Sequence, residues 1–396
     1  MNFLVLSPNF PPNFYKFCTS LQSLGWNVFG IGDAPADSLV CELSVLVEYV
    51  HVQNLGDYNA VLDAAKYLTG KFGQMSGLES NNEYWLEQDA CLRRDLGIEG
   101  IKPDALEFYK YKSKMKTKFV AAKIATVPFV VTQDFCQAEA FAKEYGYPVF
   151  AKPNKGVGAD STCKMANEAE LRDLFSKPLT KDYIFEVFIE GNLYSYDGLT
   201  DKRGKLVFEA AHYFETPIDK LKSTGGECVY HTLRTIPPKL AAVGSAAVQA
   251  FDLKARFFHI EFFELAKPIK DVGSVGDFVG VEVNMRPGGG FTPEMINAAK
   301  GIDVYELWAE CMTAESVSAS HTSDQYYCTN VCRHDRKQYK YSLEQICEMF
   351  PNQIVLSGHT CDEENPFGNF EIVGKFKTRK ECRKFSDIVK TTCQLS

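Results

Sequence analysis

The run Phe278-Val-Gly-Val-Glu-Val-Asn-Met-Arg-Pro-Gly-Gly-Gly290 constrains this chain more than any other stretch. From Val281 to Arg286, apolar residues alternate with a carboxylate, an amide and a guanidinium. A period of two is the strand period, so Glu282, Asn284 and Arg286 are expected on one face, with Val281, Val283 and Met285 packed behind. The glycines Gly288, Gly289 and Gly290 then let a backbone approach a ligand closely. Two hard oxygen donors beside one bidentate oxyanion binder describe a metal-plus-phosphate site. A half-buried strand with a solvated polar face carries the same pattern, and in isolation the run favours that plainer reading.

The surroundings decide between the two. A chain of 396 residues can hold two or three domains with sizeable cores. Its 45% hydrophobic and 24% charged residues are those of an ordinary globular protein. The net charge of −8 argues against nucleic acid as a partner. Thirteen cysteines occur without a C-x-x-C pair, and the odd count suits reduced thiols in a cytoplasmic compartment better than a disulfide framework or a zinc site. No run of eighteen apolar residues is present, so no membrane span is expected. The segment Met1 to Pro8 lacks a basic start and reads as a first strand, not a signal peptide.

Along the chain, Phe3 to Leu6, a helix from Asn13 to Leu24 and Trp26 to Ile31 form strand, helix, strand, which implies a right-handed parallel crossover. No G-x-G-x-x-G follows the first strand, so a dinucleotide site of the usual kind is not expected. Glu79 and Glu83 precede a helix; contact with a substrate is one reading, and solvated helix-start acids are the favoured one. The lysines between Lys110 and Lys118 read mostly as a solvated helix face. A helix is expected from Thr132 to Tyr145. Lys152 closes a strand and opens the polar loop Pro153 to Thr162, which offers glycines, hydroxyls and lysines either to phosphates or simply to a hairpin turn. Two strands follow from Tyr183, a hairpin turns at 201–205, and the strand Phe257 to Leu265 is expected to pair with the opening run. His259 reads as a packing histidine behind the site. The Ser-rich stretch 313–325 marks a boundary.

Lys114, Lys152 with its glycine loop, Glu186-Val-Phe-Ile-Glu190-Gly191, Glu261 and Glu282-Val-Asn284-Met-Arg286 occur in that order. This order resembles the ATP-grasp superfamily of carboxylate–amine ligases over roughly residues 1 to 315, closest to its amino-acid ligase and biotin-carboxylase-like branch. The resemblance implies an α/β and α+β fold. A Rossmann-like domain would span 1–105, followed by an ATP-grasp small lobe at 106–188, a large lobe with the metal site at 189–320 and a C-terminal α+β segment at 321–396. It implies that ATP is bound by Lys114, Lys152, Lys155, Gly156, Gly158, Ser161, Glu186, Val187, Phe188 and Glu190, with the Glu186 carboxylate accepting from the adenine amino group. Glu261, Glu282 and Asn284 would hold Mg2+ (or Mn2+). Arg286 and Lys152 would act on the transferring phosphoryl group. Arg234, Gly288 and Gly289 are the substrate-contact candidates. Many relatives carry a ribose-binding glutamate where this chain has Leu193, which leaves Glu190 as the nearest carboxylate. The activity implied is ATP-dependent joining of a small-molecule carboxylate, such as an amino acid, to an amine in the cytoplasm, by a monomer or homodimer. A carboxylase-like use of bicarbonate and a non-catalytic nucleotide-binding module are the alternatives.

Overall fold

A computed structural model describes residues 1–39, 43–156, 162–216, 221, 225–317, 325–360 and 367–393. Three sheets organise them. The first is parallel, in the order β3-β2-β1-β4, from β1 (Asn2–Leu6), β2 (Asn27–Gly32), β3 (Glu48–His51) and β4 (Met75–Glu79). The helices Tyr15–Ser23 and Tyr58–Phe72 make its crossovers, as the strand–helix–strand pattern predicts. β4 carries little apolar alternation and escapes a sequence reading, yet its end brings Glu79 and Glu83 inward. Both are buried, at 4% and 7% exposure, which corrects the expectation of solvated acids. Glu79 is fixed by Arg93 and Arg256, each 3.0 Å from its Oε2.

The second sheet is antiparallel, β5 (Phe129–Thr132), β8 (Tyr183–Val187), β6 (Val149–Pro153) and β7 (Cys163–Met165) in that spatial order. Its core is closed by the helices Phe135–Tyr145 and Glu168–Leu174. The first of these starts later than expected because Asp134 caps it, its carboxylate accepting from the Cys136 N–H at 2.8 Å. Thr132 belongs to β5 instead.

The third sheet has eight antiparallel strands in the order β13-β12-β9-β10-β11-β14-β16-β15. They are β9 (Gly191–Thr200), β10 (Leu206–Phe214), β11 (Val229–Thr232), β12 (Arg256–Leu265), β13 (Phe278–Asn284), β14 (Tyr327–Arg333), β15 (Ile354–His359) and β16 (Phe370–Phe376). The expected β12–β13 hairpin is present. The sheet continues across the expected boundary at 320, because β14 pairs with β11 and β16 with β14. One face packs on the helices Lys112–Ala121 and Pro238–Ala250 through Phe119, Tyr196, Phe251, Phe258 and Phe262. Part of the other face packs on Tyr15–Ser23 and Val304–Thr313 through Phe17, Phe257 and Trp308. Among the described residues no helix is long and apolar enough to cross a membrane.

Gly244 is where the helix Pro238–Ala250 touches the sheet. A Cβ there would lie 2.4 Å from the ring of Tyr196, which is fully buried, stacked on Phe258 and bonded through its hydroxyl to Glu209. Gly244→Ala gains helix propensity but overpacks this contact. We expect a net loss of about 1–3 kcal/mol, read as a lower thermal midpoint; an unchanged midpoint would show that the helix can slide.

Candidate active site

The third sheet has one face free of helices near β13 and β12, and there it forms the floor of a cleft. Glu261 and Glu282 are register partners across β12 and β13, and His259 opposes Asn284. A bulge lies between these pairs and the rest of the hairpin: Glu261 opposes Glu282, but Phe262 opposes Gly280, so Val281 is the extra residue. The bulge corrects one expectation. Val283 and Met285 do pack behind the strand, but Val281 lines the cleft together with Glu282, Asn284 and Arg286. Phe278 and Gly280 face the helix side, so strict alternation through a paired Val281, with no bulge, would turn Glu282 and Asn284 toward that side too.

Above this floor stands a buried cluster of one carboxylate and two lysines. Glu186, near the end of β8, has Lys116 Nζ 2.6 Å from Oε1 and Lys152 Nζ 2.8 Å from Oε2. Burial opposes ionisation of Glu186, but the two lysines outweigh it and hold the carboxyl at about 2. Burial pulls Lys116 down. Lys152 is equally buried, but Glu186, with Glu282 and Glu261 beyond it, keeps it raised. Beside the cluster lies a cavity of about 290 Å³, walled by Val187, Phe188, Ile189 and Phe263. Lys152 and Val281 border both this cavity and a second, of about 400 Å³, which holds Glu261, Glu282, Asn284 and Arg286.

The carboxylates at the floor are backed by a buried polar chain. His259 Nδ1 lies 2.6 Å from Asp197 Oδ1, and His212 Nδ1 lies 2.8 Å from Asp197 Oδ2. Ser195 donates to the same Asp197, and His259 Nε2 is 3.5 Å from Glu261 Oε1. Burial opposes a charge on His259, yet Asp197 and Glu261 push it up to about 9. His259 thus stands behind the site, between Asp197 and Glu261, where it orients the Glu261 carboxylate. Two like charges directly opposed on a ladder are unfavourable unless a cation joins them. Lys112 Nζ, 3.4 Å from Glu282 Oε1, offsets part of that charge. Among the described residues no three His, Cys, Asp or Glu side chains form a metal cluster; the third donor here is the Asn284 amide. Two carboxylates and one amide are the hard oxygen donors that suit Mg2+.

Several expected residues are not gathered. Lys114 is half-exposed and pairs with Glu107 at 3.5 Å. Helical spacing explains the correction, since Lys112, Met115, Lys116 and Phe119 form the buried stripe and Lys114 points away from it. Lys155 reaches away to Glu87 at 2.6 Å, and Gly156 meets the site only through its carbonyl, which accepts from Lys112 at 3.1 Å. Arg234 is exposed and off the cleft. Gly288 packs on Thr292, whereas Gly289 borders the larger cavity. Glu190 lines the smaller cavity at its rim, where Lys267 pairs with it at 2.8 Å. Gly158 and Ser161 lie outside the described residues. Both oxygens of Glu186 are engaged by lysines, which leaves neither free for the expected adenine contact.

The structure also adds residues that the sequence reading passed over. Lys112 and Lys116 were signalled by their spacing with Met115 and Phe119. Glu83 is buried, 3.9 Å from Lys110, with its Oε2 unbonded among the described residues. Burial raises its carboxyl, against Arg286 and Lys110. Glu371, from the C-terminal strands, had no local signal at all.

No family model matches the chain. An L-arginine-specific L-amino acid ligase of Bacillus subtilis is 23% identical over 245 residues; the match covers 60% of this chain and 57% of that relative's length. The solved L-amino acid ligase of Bacillus licheniformis superposes with a TM-score of 0.76 at 17% identity, covering 97% of this chain and 95% of the other. N5-carboxyaminoimidazole synthetase from Staphylococcus aureus, solved with ADP, gives 0.71 at 14% identity, covering 98% and 96%. Phosphoribosylglycinamide synthetase from Anaerococcus prevotii gives 0.67 at 16% identity, covering 99% and 98%. At these identities the likeness is one of fold.

Proposed function

We propose that this chain, which has the fold of the ATP-grasp ligases, is an ATP-dependent ligase that activates a substrate carboxylate as an acyl phosphate and joins it to an amine, releasing ADP and phosphate. The observation that carries the reading is one cleft in which the Lys116–Glu186–Lys152 cluster adjoins Glu261, Glu282, Asn284 and Arg286. The amino acid ligase similarities support amino acids as the substrates.

In this reading the base of the nucleotide occupies the cavity of about 290 Å³, against Phe188 and Phe263, and the Val187–Ile189 backbone reads its edge. Lys116 and Lys152 share Glu186 before the nucleotide arrives, so both are already aimed and neither needs reorganising to meet phosphate oxygens. Mg2+ held by Glu261, Glu282 and Asn284 would neutralise phosphate charge and let a carboxylate approach. Arg286 takes the transferring phosphoryl group, for which a guanidinium fork is the fitting donor. His259 keeps Glu261 ionised and oriented. The attacking amine forms the C–N bond as the C–O bond to phosphate breaks, and no covalent enzyme intermediate is required.

The test is ADP release with Mg2+ over pairs of carboxylates and amines, with products read by mass. A mass equal to the two substrates less one water supports the reading. ADP release driven by bicarbonate without an amino acid would replace it with a carboxylase. Nucleotide binding with no turnover across the screen would leave a binding module. The lysine assignment has its own test. Lys116→Met should weaken MgADP binding about 10–100-fold by calorimetry, the effect of losing a buried charge-assisted contact. Lys114→Met should change it less than about twofold, as for an exposed site; the opposite ranking restores Lys114 to the site.

A further inference from the structure

The larger cavity has a second end, built by strands remote from the metal-candidate residues. β13 and β16 are six strand steps apart in the sheet order, roughly 29 Å if the sheet were flat. The sheet curls instead, and Glu371 of β16 borders the same cavity of about 400 Å³ as Glu282 and Arg286. Its Oε1 lies 3.1 Å from the position a Cβ would take on Gly290, and the Tyr230 hydroxyl lies equally close to that position. Gly290 also has φ +60, so both its conformation and the lack of space call for glycine. Phe214, Cys228, Cys332 and Phe367 complete an otherwise apolar wall.

Glu371 is 5% exposed, and its Oε2 accepts from Asn330 Nδ2 at 2.7 Å. Among the described residues no lysine, arginine or histidine forms an ion pair with it. Other groups facing it are Glu294, the Cys332 and Tyr230 side chains and a backbone hydrogen bond from Phe291. Burial pushes its carboxyl up to about 7, against the Asn330 bond. Among the described residues this carboxyl has an amide but no cation beside it, and such a buried group either stays protonated or takes its cation from a ligand.

We infer that this end of the cavity is the acceptor subsite, and that Glu371 receives the amine substrate as its ammonium form. The inference rests on the ligase reading and deepens it: the acceptor class is a primary amine cationic at neutral pH, carried beside an apolar group that meets Phe214 and Phe367. Asn330 fixes the carboxylate, and the missing side chain at Gly290 leaves the approach from Arg286 open. Before attack the ammonium passes the first of its two departing protons to the Glu371 carboxylate. The freed lone pair then forms the C–N bond, phosphate leaves with the C–O electrons and takes up the second amine proton, and Glu371 returns its own proton to solvent.

Hydroxylamine is neutral at pH 7 and traps acyl phosphates without needing an ammonium site. The twenty L-amino acids are supplied with ATP and Mg2+, with and without hydroxylamine, and hydroxamates and dipeptides are read by mass. Glu371→Gln should leave hydroxamate formation within about twofold and lower dipeptide formation about 10–100-fold through a raised KM for the amine, the effect of losing a bond to a charged group. Glu371→Asp should recover part of the loss. The thermal midpoint of Glu371→Gln should be unchanged or higher, whereas a purely structural carboxylate predicts a fall. Equal loss of both products, a lower midpoint, or an unchanged dipeptide rate overturns the subsite and leaves the ligase reading standing. Absence of hydroxamate and dipeptide from the unaltered protein overturns the ligase reading and the subsite with it.

Discussion

Replacing Glu282 by glutamine lowers carboxylate-dependent ADP formation by about 10²–10³-fold, in the range for removing one preorganised group that stabilises developing charge. The substitution keeps the size of the side chain and relieves the like-charge contact with Glu261, which offsets the loss of the Lys112 ion pair; Lys112 keeps its hydrogen bond to the Gly156 carbonyl. The thermal midpoint is therefore expected to hold or rise while turnover collapses. Raising Mg2+ should recover part of the activity, because a weakened site fills at higher concentration. Turnover within about tenfold of the unaltered protein would remove Glu282 from the reaction, whatever the fate of the other residues.

Replacing Glu186 by leucine has the largest expected effect on stability. It leaves Lys116 and Lys152, both deeply buried, facing each other without the carboxylate that joined them. Removing one partner from a buried ionic group costs about 3–5 kcal/mol. The pH dependence gives an independent check. The folded-state value of Glu186 is depressed from 4.5 to about 2. Its contribution is thus complete above about pH 4.5 and is lost as pH falls toward 2, on the order of 3 kcal/mol in all. The gap in thermal midpoint between the unaltered protein and Glu186→Leu should therefore narrow between pH 6 and pH 3. A gap that is constant over that interval would mean that packing, and not charge, holds the cluster.

How much of this could be read from the sequence differed by position. Glu261, Glu282 and Asn284 sit on two strands of a hairpin with Arg286 just past the end of one, where period-two spacing is a local signal and the face is legible although the bulge is not. Lys152 and Glu186 were legible by their order in the chain, but their ion pairs were not, since those depend on the register of β6 with β8. A lysine-rich helix presents several equivalent residues, and only the apolar stripe through Met115 and Phe119 separates Lys116 from Lys114. Glu79 and Glu83 looked like helix-start acids because nothing local shows that Arg93, Arg256 and Lys110 close over them. Glu371 was beyond reach for the plainest reason. Its neighbours Gly290 and Tyr230 are far away in sequence, and the curl of an eight-stranded sheet joins them.

The bulge at Val281 has a consequence for how this cleft can vary. Val281 has no reactive group, yet it borders both cavities, and as the unpaired residue it lets Glu282 oppose Glu261, where strict pairing would set it against Ile260. Deleting it would restore an unbroken ladder with Glu282 still turned to the cleft, so the hairpin should survive. Glu282 would keep Glu261 as its partner across the ladder, so the deletion would change only the local twist and the wall that Val281 gives to both cavities. The bulge thus lets one unpaired apolar residue border two cavities while the carboxylate beyond it keeps its place opposite Glu261.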